Sequence, residues 1–136
     1  METAVRYGGA AAYKSVAAWG SVAHDDPQRL ILMLYDGALE RIAAARGCLR
    51  NGQLAEKAQL LTRVIAIVGE LRGSLDLVRG GAVAANLDDL YDYVTRRLIA
   101  GNAANDAEAL DEVAGLLREL RDAWNAMAYR RAVAPA

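Results

Sequence analysis

Long stretches of this chain contain no residue that would stop a helix. Proline occurs only at positions 27 and 135, so the region between them is free of the residue that most strongly breaks a helix interior. Apolar residues in that region recur at alternating spacings of three and four, which places them along one side of a helix. A strand-like alternation with period two is nowhere convincing. The sequence therefore predicts an all-α fold.

End signals divide the region into four helical segments, predicted over about 27–50, 54–79, 82–100 and 105–129. Asp26 before Pro27 has the form of an N-cap followed by proline at the first helical position. Asn105 and Glu108 have the spacing of a capping box. The expected closing pairs are Asn51-Gly52, Gly80-Gly81 and Gly101-Asn102. Such short connections favour antiparallel neighbours, so we expect an up-down four-helix bundle as a domain over 25–132.

The apolar seams of the third and fourth segments are narrow and regular. Leu117 and Trp124 lie on one seam of the fourth segment, and Leu90 and Val94 on that of the third. Seams of this width pack at about 20° in a bundle. The predicted core includes Leu34, Ile42, Leu61, Val68, Leu90, Val94, Leu117 and Trp124.

The first two segments are more apolar than a bundle needs. Residues 30–35 are apolar all round, and the apolar arc of the second segment covers about half of its circumference. A wide stripe between two neighbouring helices remains open as an explanation for any single residue, but a second interface explains both helices together better. The expected binding positions are Leu32, Leu39, Leu60, Ile67 and Leu71, with Tyr91 and Tyr93 as aromatic anchors whose hydroxyls stay in water.

The first 24 residues do not follow the bundle pattern. Tyr13, Val16 and Trp19 follow a glycine pair at spacings of three, which is typical of a short amphipathic turn on a flexible tether. Such a segment would cover the surplus apolar surface when no partner is bound. A frayed terminus with two incidental aromatic residues is the alternative.

The residue inventory gives catalysis little support. His24 is the single histidine and Cys48 the single cysteine, which excludes a di-iron site built from paired histidines and leaves no expected metal or cofactor. A net charge of −1 argues against nucleic acid as a partner. No apolar run is long enough for membrane insertion, and no secretory signal is evident, so we expect a cytoplasmic protein. Arg97, on the apolar side of the third segment, is expected either to pair with Asp36 or Glu40 or to extend its charge into solvent.

Several motifs carry a family resemblance. Residues 27–38, PQRLILMLYDGA, and residues 86–93, NLDDLYDY, followed by Arg96-Arg97-Leu98, resemble the first- and third-helix signatures of the FliS family of flagellin export chaperones. The glycine pair at 80–81, residues 112–124 and Ala12-Tyr13 match in order and spacing. Ala10 departs from the family, which often has a bulky apolar residue there.

The resemblance implies a cytoplasmic chaperone that binds the C-terminal amphipathic segment of flagellin. Binding would prevent premature polymerisation and deliver flagellin to the flagellar type III export gate. The family's N-terminal segment, centred on the tyrosine that matches Tyr13, is associated with covering the binding groove and with docking at the gate. The expected assembly is a monomer or weak homodimer. A homodimerising adaptor without chaperone activity remains the alternative, because its surplus apolar face would pair with itself.

Overall fold

The computed structural model describes residues 26–133, with side chains through Met127. Its helices are α1 (Pro27–Arg50), α2 (Leu54–Gly73), α3 (Leu77–Ala104) and α4 (Ala107–Val133). Each helix packs on the next one along the chain, and α4 packs back on α1. The predicted all-α four-helix bundle is therefore confirmed. None of these four helices has a stretch long and apolar enough to cross a membrane.

Helix α1 begins and ends where the sequence predicts. The Asp26 carboxylate accepts a hydrogen bond from the Arg29 amide at 3.1 Å, which satisfies one of the free amides of the first turn. At the other end, the Asn51 amide donates to the Gly47 carbonyl at 3.1 Å. α1 also has the most extensive contact of the bundle, which it makes with α2.

The predicted boundary between the second and third helices is wrong. α2 ends at Gly73, and α3 begins just after Asp76, whose carboxylate accepts from the amides of Val78 (3.1 Å) and Arg79 (3.0 Å). This cap starts the new helix before the glycine pair is reached. Gly81 instead forms a kink inside α3, with φ 53° and ψ −131°, a conformation that a residue with a side chain adopts only under strain.

Helix α3 also continues past the glycine that was expected to end it. It passes through the buried Gly101 to Ala104, and Asn105 follows in the left-handed region. A Cβ atom on Gly101 would lie 2.8 Å from the Ala109 Cβ, so this glycine permits the close approach of α3 and α4. Asp106, and not Asn105, caps α4 by accepting from the amides of Glu108 and Ala109.

The core follows the predicted seams with one shift of register. Leu34, Ile42, Leu61, Val68, Val94 and Leu117 are buried as predicted. Trp124 is half-buried and packs against the core. The prediction that Leu90 is a core residue is wrong, because Tyr91 occupies the interior position and Leu90 is only half-buried. Leu87, Tyr91, Val94 and Leu98 still have the three-four spacing that a bundle seam requires.

One end of the bundle, formed by the end of α1, the start of α2, the end of α3 and the start of α4, is closed by a buried lysine. Lys57 is only 3% exposed, and its ammonium donates to the Asn102 carbonyl at 2.9 Å and to the Asn105 side-chain oxygen. These acceptors lie at the C-terminus of α3, where unpaired carbonyls favour a positive charge. We call this the closed end.

Ion pairs connect three of the four neighbouring helix pairs. Arg72 pairs with Asp88 at 2.5 Å between α2 and α3, and Arg46 pairs with Asp111 at 2.7 Å between α1 and α4. Asp36 and Glu40 were the partners predicted for Arg97, and this is wrong. The Arg97 guanidinium pairs with Glu112 of α4 at 2.7 Å. Asp36 instead forms an ion pair with Arg121 of α4. Exposed pairs of this kind contribute little to stability.

Candidate functional site

The opposite end of the bundle contains a groove of about 410 Å³. Here α1 begins, α2 ends and α3 begins, and Trp124 of α4 reaches the same place; we call it the open end. The groove is mainly apolar, with a short polar margin at the turn between α2 and α3. Its lining residues are Ile31, Tyr35, Leu71, Ser74, Leu75, Asp76, Arg79, Gly80, Val83, Ala84, Leu87, Tyr91 and Trp124.

Hydrogen bonds of the margin hold the groove in shape. The Trp124 indole nitrogen donates to the Gln28 carbonyl at 3.3 Å and so ties α4 to the first turn of α1. The Ser74 hydroxyl donates to the Leu71 carbonyl at 2.6 Å at the end of α2. Asp76 is occupied in capping α3. These polar groups of the margin therefore already have hydrogen-bonding partners within the bundle.

An apolar patch lies next to the groove on the first turns of α3. Leu77 is 55% exposed, Val78 93% and Val83 69%, and Val83 also lines the groove. The patch flanks the kink at Gly81, where the chain leaves the helical path. Apolar side chains clustered beside an apolar groove are typical of a surface that binds another protein.

Two tyrosines form the floor of the groove. The hydroxyls of Tyr35 and Tyr91 lie 2.5 Å apart, and both residues are 3% exposed. This hydrogen bond joins α1 to α3, which lie diagonally across the bundle. Burial raises the pKa of both phenols, and for Tyr35 the hydrogen bond to Tyr91 raises it further. Both side chains therefore stay protonated and neutral at physiological pH.

Three of the predicted binding residues are part of the core. Ile67 is 1% exposed and Leu71 0%, so the prediction that both lie outside the bundle seam is wrong. The wide stripe of α2 is wedged between α1 and α3, as the open alternative for single residues allowed. Tyr91 was expected to keep its hydroxyl in water, but it is buried against Tyr35. Leu71 and Tyr91 nevertheless reach the groove lining.

The other predicted binding residues lie outside the groove lining. Leu32, Leu39 and Leu60 are half-buried. Tyr93 is half-buried and donates to the Glu112 carboxylate. That bond is the main cause of the raised pKa of Tyr93 and of the lowered pKa of Glu112. A role for these four residues in binding stays a prediction.

The residues expected to cover the groove, Tyr13, Val16 and Trp19, lie outside the described part of the chain. Their point of attachment is nevertheless defined. α1 begins at Pro27, and Ile31 one turn later already lines the groove. The N-terminal segment therefore joins the bundle at the open end.

The exposed patch was missed in the sequence because the second segment was predicted to run to residue 79, which placed Leu77 and Val78 on α2. The residue that could have revealed the patch is Asp76, an N-cap residue that starts a helix directly before Leu77-Val78. Within residues 26–127, no group of three histidine, cysteine, aspartate or glutamate side chains is placed to hold a metal ion. The chemistry that the described groove offers is apolar contact with a few hydrogen-bonding groups.

Comparison with known proteins identifies the family. The sequence matches the family of the flagellar protein FliS over residues 9–131. It is 43% identical over 117 residues to the flagellar secretion chaperone FliSB of Pseudomonas aeruginosa, covering 86% of this chain and 93% of that protein. The flagellar secretion chaperone FliS of Salmonella typhimurium is 41% identical, with 85% and 87% covered, and that of Bacillus subtilis is 37% identical, with 72% of each covered. This chain therefore belongs to the FliS family of flagellar secretion chaperones, which is not a family of enzymes.

Proposed function

We propose that this protein is a cytoplasmic export chaperone that binds the C-terminal amphipathic segment of flagellin. Binding keeps the segment from polymerising, and the complex delivers flagellin to the flagellar type III export apparatus. The observation that carries the proposal is the apolar groove at the open end, with Leu77, Val78 and Val83 exposed beside it in a chain of the FliS family.

The groove suits an amphipathic helix better than a compact protein surface. A helix offers apolar side chains at spacings of three and four, which enter a groove between helices. Burial of the exposed valines and leucine contributes roughly 25 cal/mol for each Å² of apolar surface removed from water. Ordering a segment that is disordered before binding opposes this gain, so the complex is stable but reversible. Reversibility is what a protein that releases its cargo for export requires.

The half-buried Leu32, Leu39, Leu60 and Tyr93 extend the proposed contact beyond the groove. A flagellin segment longer than one helix continues from the open end onto the outside of the bundle, where these residues of α1, α2 and α3 supply further apolar contact. The N-terminal segment covers the groove in the unbound protein through Tyr13, Val16 and Trp19. Trp19 is eight positions before Pro27, and a chain of that length spans at most roughly 27 Å. The same segment docks at the export gate once flagellin has displaced it.

The proposal is tested by placing a charge in the groove without disturbing the core. In Val83→Asp, the new carboxylate lies in water while the groove is empty, because position 83 is 69% exposed. It becomes buried and unpaired only in the complex, which is costly. We expect a folded variant that no longer retains flagellin in a pull-down. Wild-type protein should retain full-length flagellin and fail with flagellin that lacks its last segment.

Ile99→Asp is the matched control. Ile99 is also a β-branched residue of α3, is 56% exposed, and lies towards the closed end outside the groove lining. This variant should bind flagellin like the wild type. Equal binding by Val83→Asp would place the site elsewhere. Failure of the wild type to bind flagellin, together with dimers in sedimentation that Val83→Asp dissociates, would support the homodimerising adaptor instead.

A further inference from the structure

The floor of the groove carries one hydrogen-bond donor for which no residue in the described part of the chain supplies an acceptor. The Tyr35 and Tyr91 hydroxyls each have one hydrogen, and the bond between them, 2.5 Å long, uses only one of the two. Neither hydroxyl has another hydrogen-bonding partner among the described side chains. Burial raises the pKa of both phenols, so neither loses its hydrogen at neutral pH.

The other polar groups around the groove have partners. The Trp124 indole donates to Gln28, Ser74 donates to Leu71, and the Asp76 carboxylate accepts from α3 amides. The spare tyrosine hydrogen is thus the exception on a floor that is otherwise apolar. A donor left without an acceptor in a desolvated site is costly. Both tyrosines line the groove, so a bound segment that excludes water from it has to supply an acceptor there.

We propose that the Tyr35–Tyr91 pair donates a hydrogen bond to a carbonyl oxygen that the bound segment does not use in its own helix, either that of an amide side chain or a main-chain carbonyl of the last helical turn. The inference rests on the proposed function, because the segment is that of flagellin. A neutral carbonyl fits better than a carboxylate, since a carboxylate would lose its hydration among apolar side chains. Arg79, the cation of the margin, keeps its side chain 90% exposed and does not compensate a charge on the floor. The pair is therefore a specificity determinant that sets the register of the bound segment.

The test removes both hydroxyls and keeps both rings. In the double variant Tyr35→Phe/Tyr91→Phe, donor and acceptor disappear together, so the unfolding temperature should stay close to that of the wild type. Affinity for a synthetic peptide of the flagellin C-terminus should fall about tenfold, because the carbonyl of the peptide is buried without a donor. A loss of binding with unchanged stability is not expected of a pair that serves the fold alone.

Thr95→Val is the matched control. Its hydroxyl donates to the Tyr91 main-chain carbonyl at 2.9 Å on the same helix, and Thr95 does not line the groove. This variant removes a hydroxyl without changing the shape of the side chain and should bind the peptide like the wild type. Wild-type affinity in the double phenylalanine variant would overturn the inference. Failure of the wild type itself to bind the peptide would refute the proposed function instead.

A second measurement needs no variant and covers the case in which the double variant misfolds. In wild-type protein labelled with ¹³Cζ-tyrosine, saturation with the peptide should shift the resonance of Tyr35 or Tyr91, because a new hydrogen bond changes the phenol carbon that bears the hydroxyl. Unchanged resonances of both residues at saturation would overturn the inference.

A panel of peptides with each asparagine or glutamine replaced by alanine locates the acceptor. If it is a side chain, one peptide binds the wild type and the double phenylalanine variant equally. If it is a main-chain carbonyl, every peptide remains sensitive to the loss of the hydroxyls. Either result supports the inference, whereas insensitivity of all peptides contradicts it.

Discussion

The two ends of the bundle are built from the same four helices but differ in how completely their polar groups are hydrogen-bonded and their apolar side chains are packed. At the closed end, Lys57 supplies hydrogen bonds to the end of α3, and Gly101 lets α3 approach α4 until little space remains. At the open end, α3 is kinked at Gly81, exposed apolar side chains cluster beside a groove, and one tyrosine hydrogen has no acceptor among the described residues. The difference indicates a division of work, in which the closed end stabilises the fold and the open end is kept for a partner.

The largest expected effect comes from removing buried volume at the closed end. Leu110 of α4 is 0% exposed and packs near Gly101. Leu110→Ala should lower the free energy of unfolding by about 2–5 kcal/mol, through lost burial and a residual cavity. Leu77→Ala is the matched change at the open end, and because Leu77 is 55% exposed it should cost under about 1 kcal/mol. Urea denaturation of both variants measures the difference, and equal losses would remove the contrast between the ends.

A smaller effect tests whether the close approach at Gly101 is real. The Cβ of Gly101→Ala would lie 2.8 Å from the Ala109 Cβ, a contact that only movement of the two helices can relieve. Overpacking of this kind costs about 1–3 kcal/mol, and the better helix propensity of alanine offsets up to roughly 1 kcal/mol of it. We expect a net loss near 1 kcal/mol. In α2, Gly69→Ala meets nothing within 4 Å and should instead stabilise by about 0.5–1 kcal/mol. If thermal denaturation showed both variants more stable, or both less stable, than the wild type, the result would contradict the close packing at the closed end.

The smallest effect on stability is expected from deletion of residues 1–20. The core residues of the described bundle all lie in the four helices, so the unfolding temperature should be almost unchanged. If this segment covers the groove, its removal should increase affinity for the flagellin peptide severalfold, because a competing occupant is lost. Isothermal titration of both lengths of chain makes the comparison. A collapse of folding on deletion would show that the segment belongs to the core.

The sequence predicted the architecture well because the relevant signals are local. Asp26-Pro27 defines the start of α1, and the spacing of Leu110, Val113 and Leu117 defines the buried side of α4. The boundary of α2 was predicted wrongly because the glycine pair at 80–81 was taken as the end signal, whereas Asp76 already caps a new helix. The rule that an aspartate before a helical segment acts as an N-cap applies to Asp76 as it does to Asp26.

The candidate site was less predictable because its residues depend on neighbours from other helices. Leu90 and Tyr91 are equally compatible with the seam of α3 by spacing, and in the structure Tyr91 is the buried one, with its hydroxyl against that of Tyr35 on α1. Ile67 is on the margin of a wide apolar arc whose burial depends on how α1 and α3 flank α2. Arg97 likewise pairs with a residue of α4, and the periodicity of a single helix cannot predict a partner on another helix.

The kink at Gly81 also has a consequence for the local opening of the helix. The first turn of α3 is joined to the rest of the helix through a residue with non-helical dihedral angles, so the two parts do not share an uninterrupted ladder of hydrogen bonds. Amide protons beyond the kink should exchange with solvent only through large openings, whereas those of Leu77–Gly80 should exchange through fraying of a single turn. The first turn of α3, which carries Val78 beside the groove, therefore forms a separate unit of hydrogen exchange, able to change its shape while the bundle stays folded.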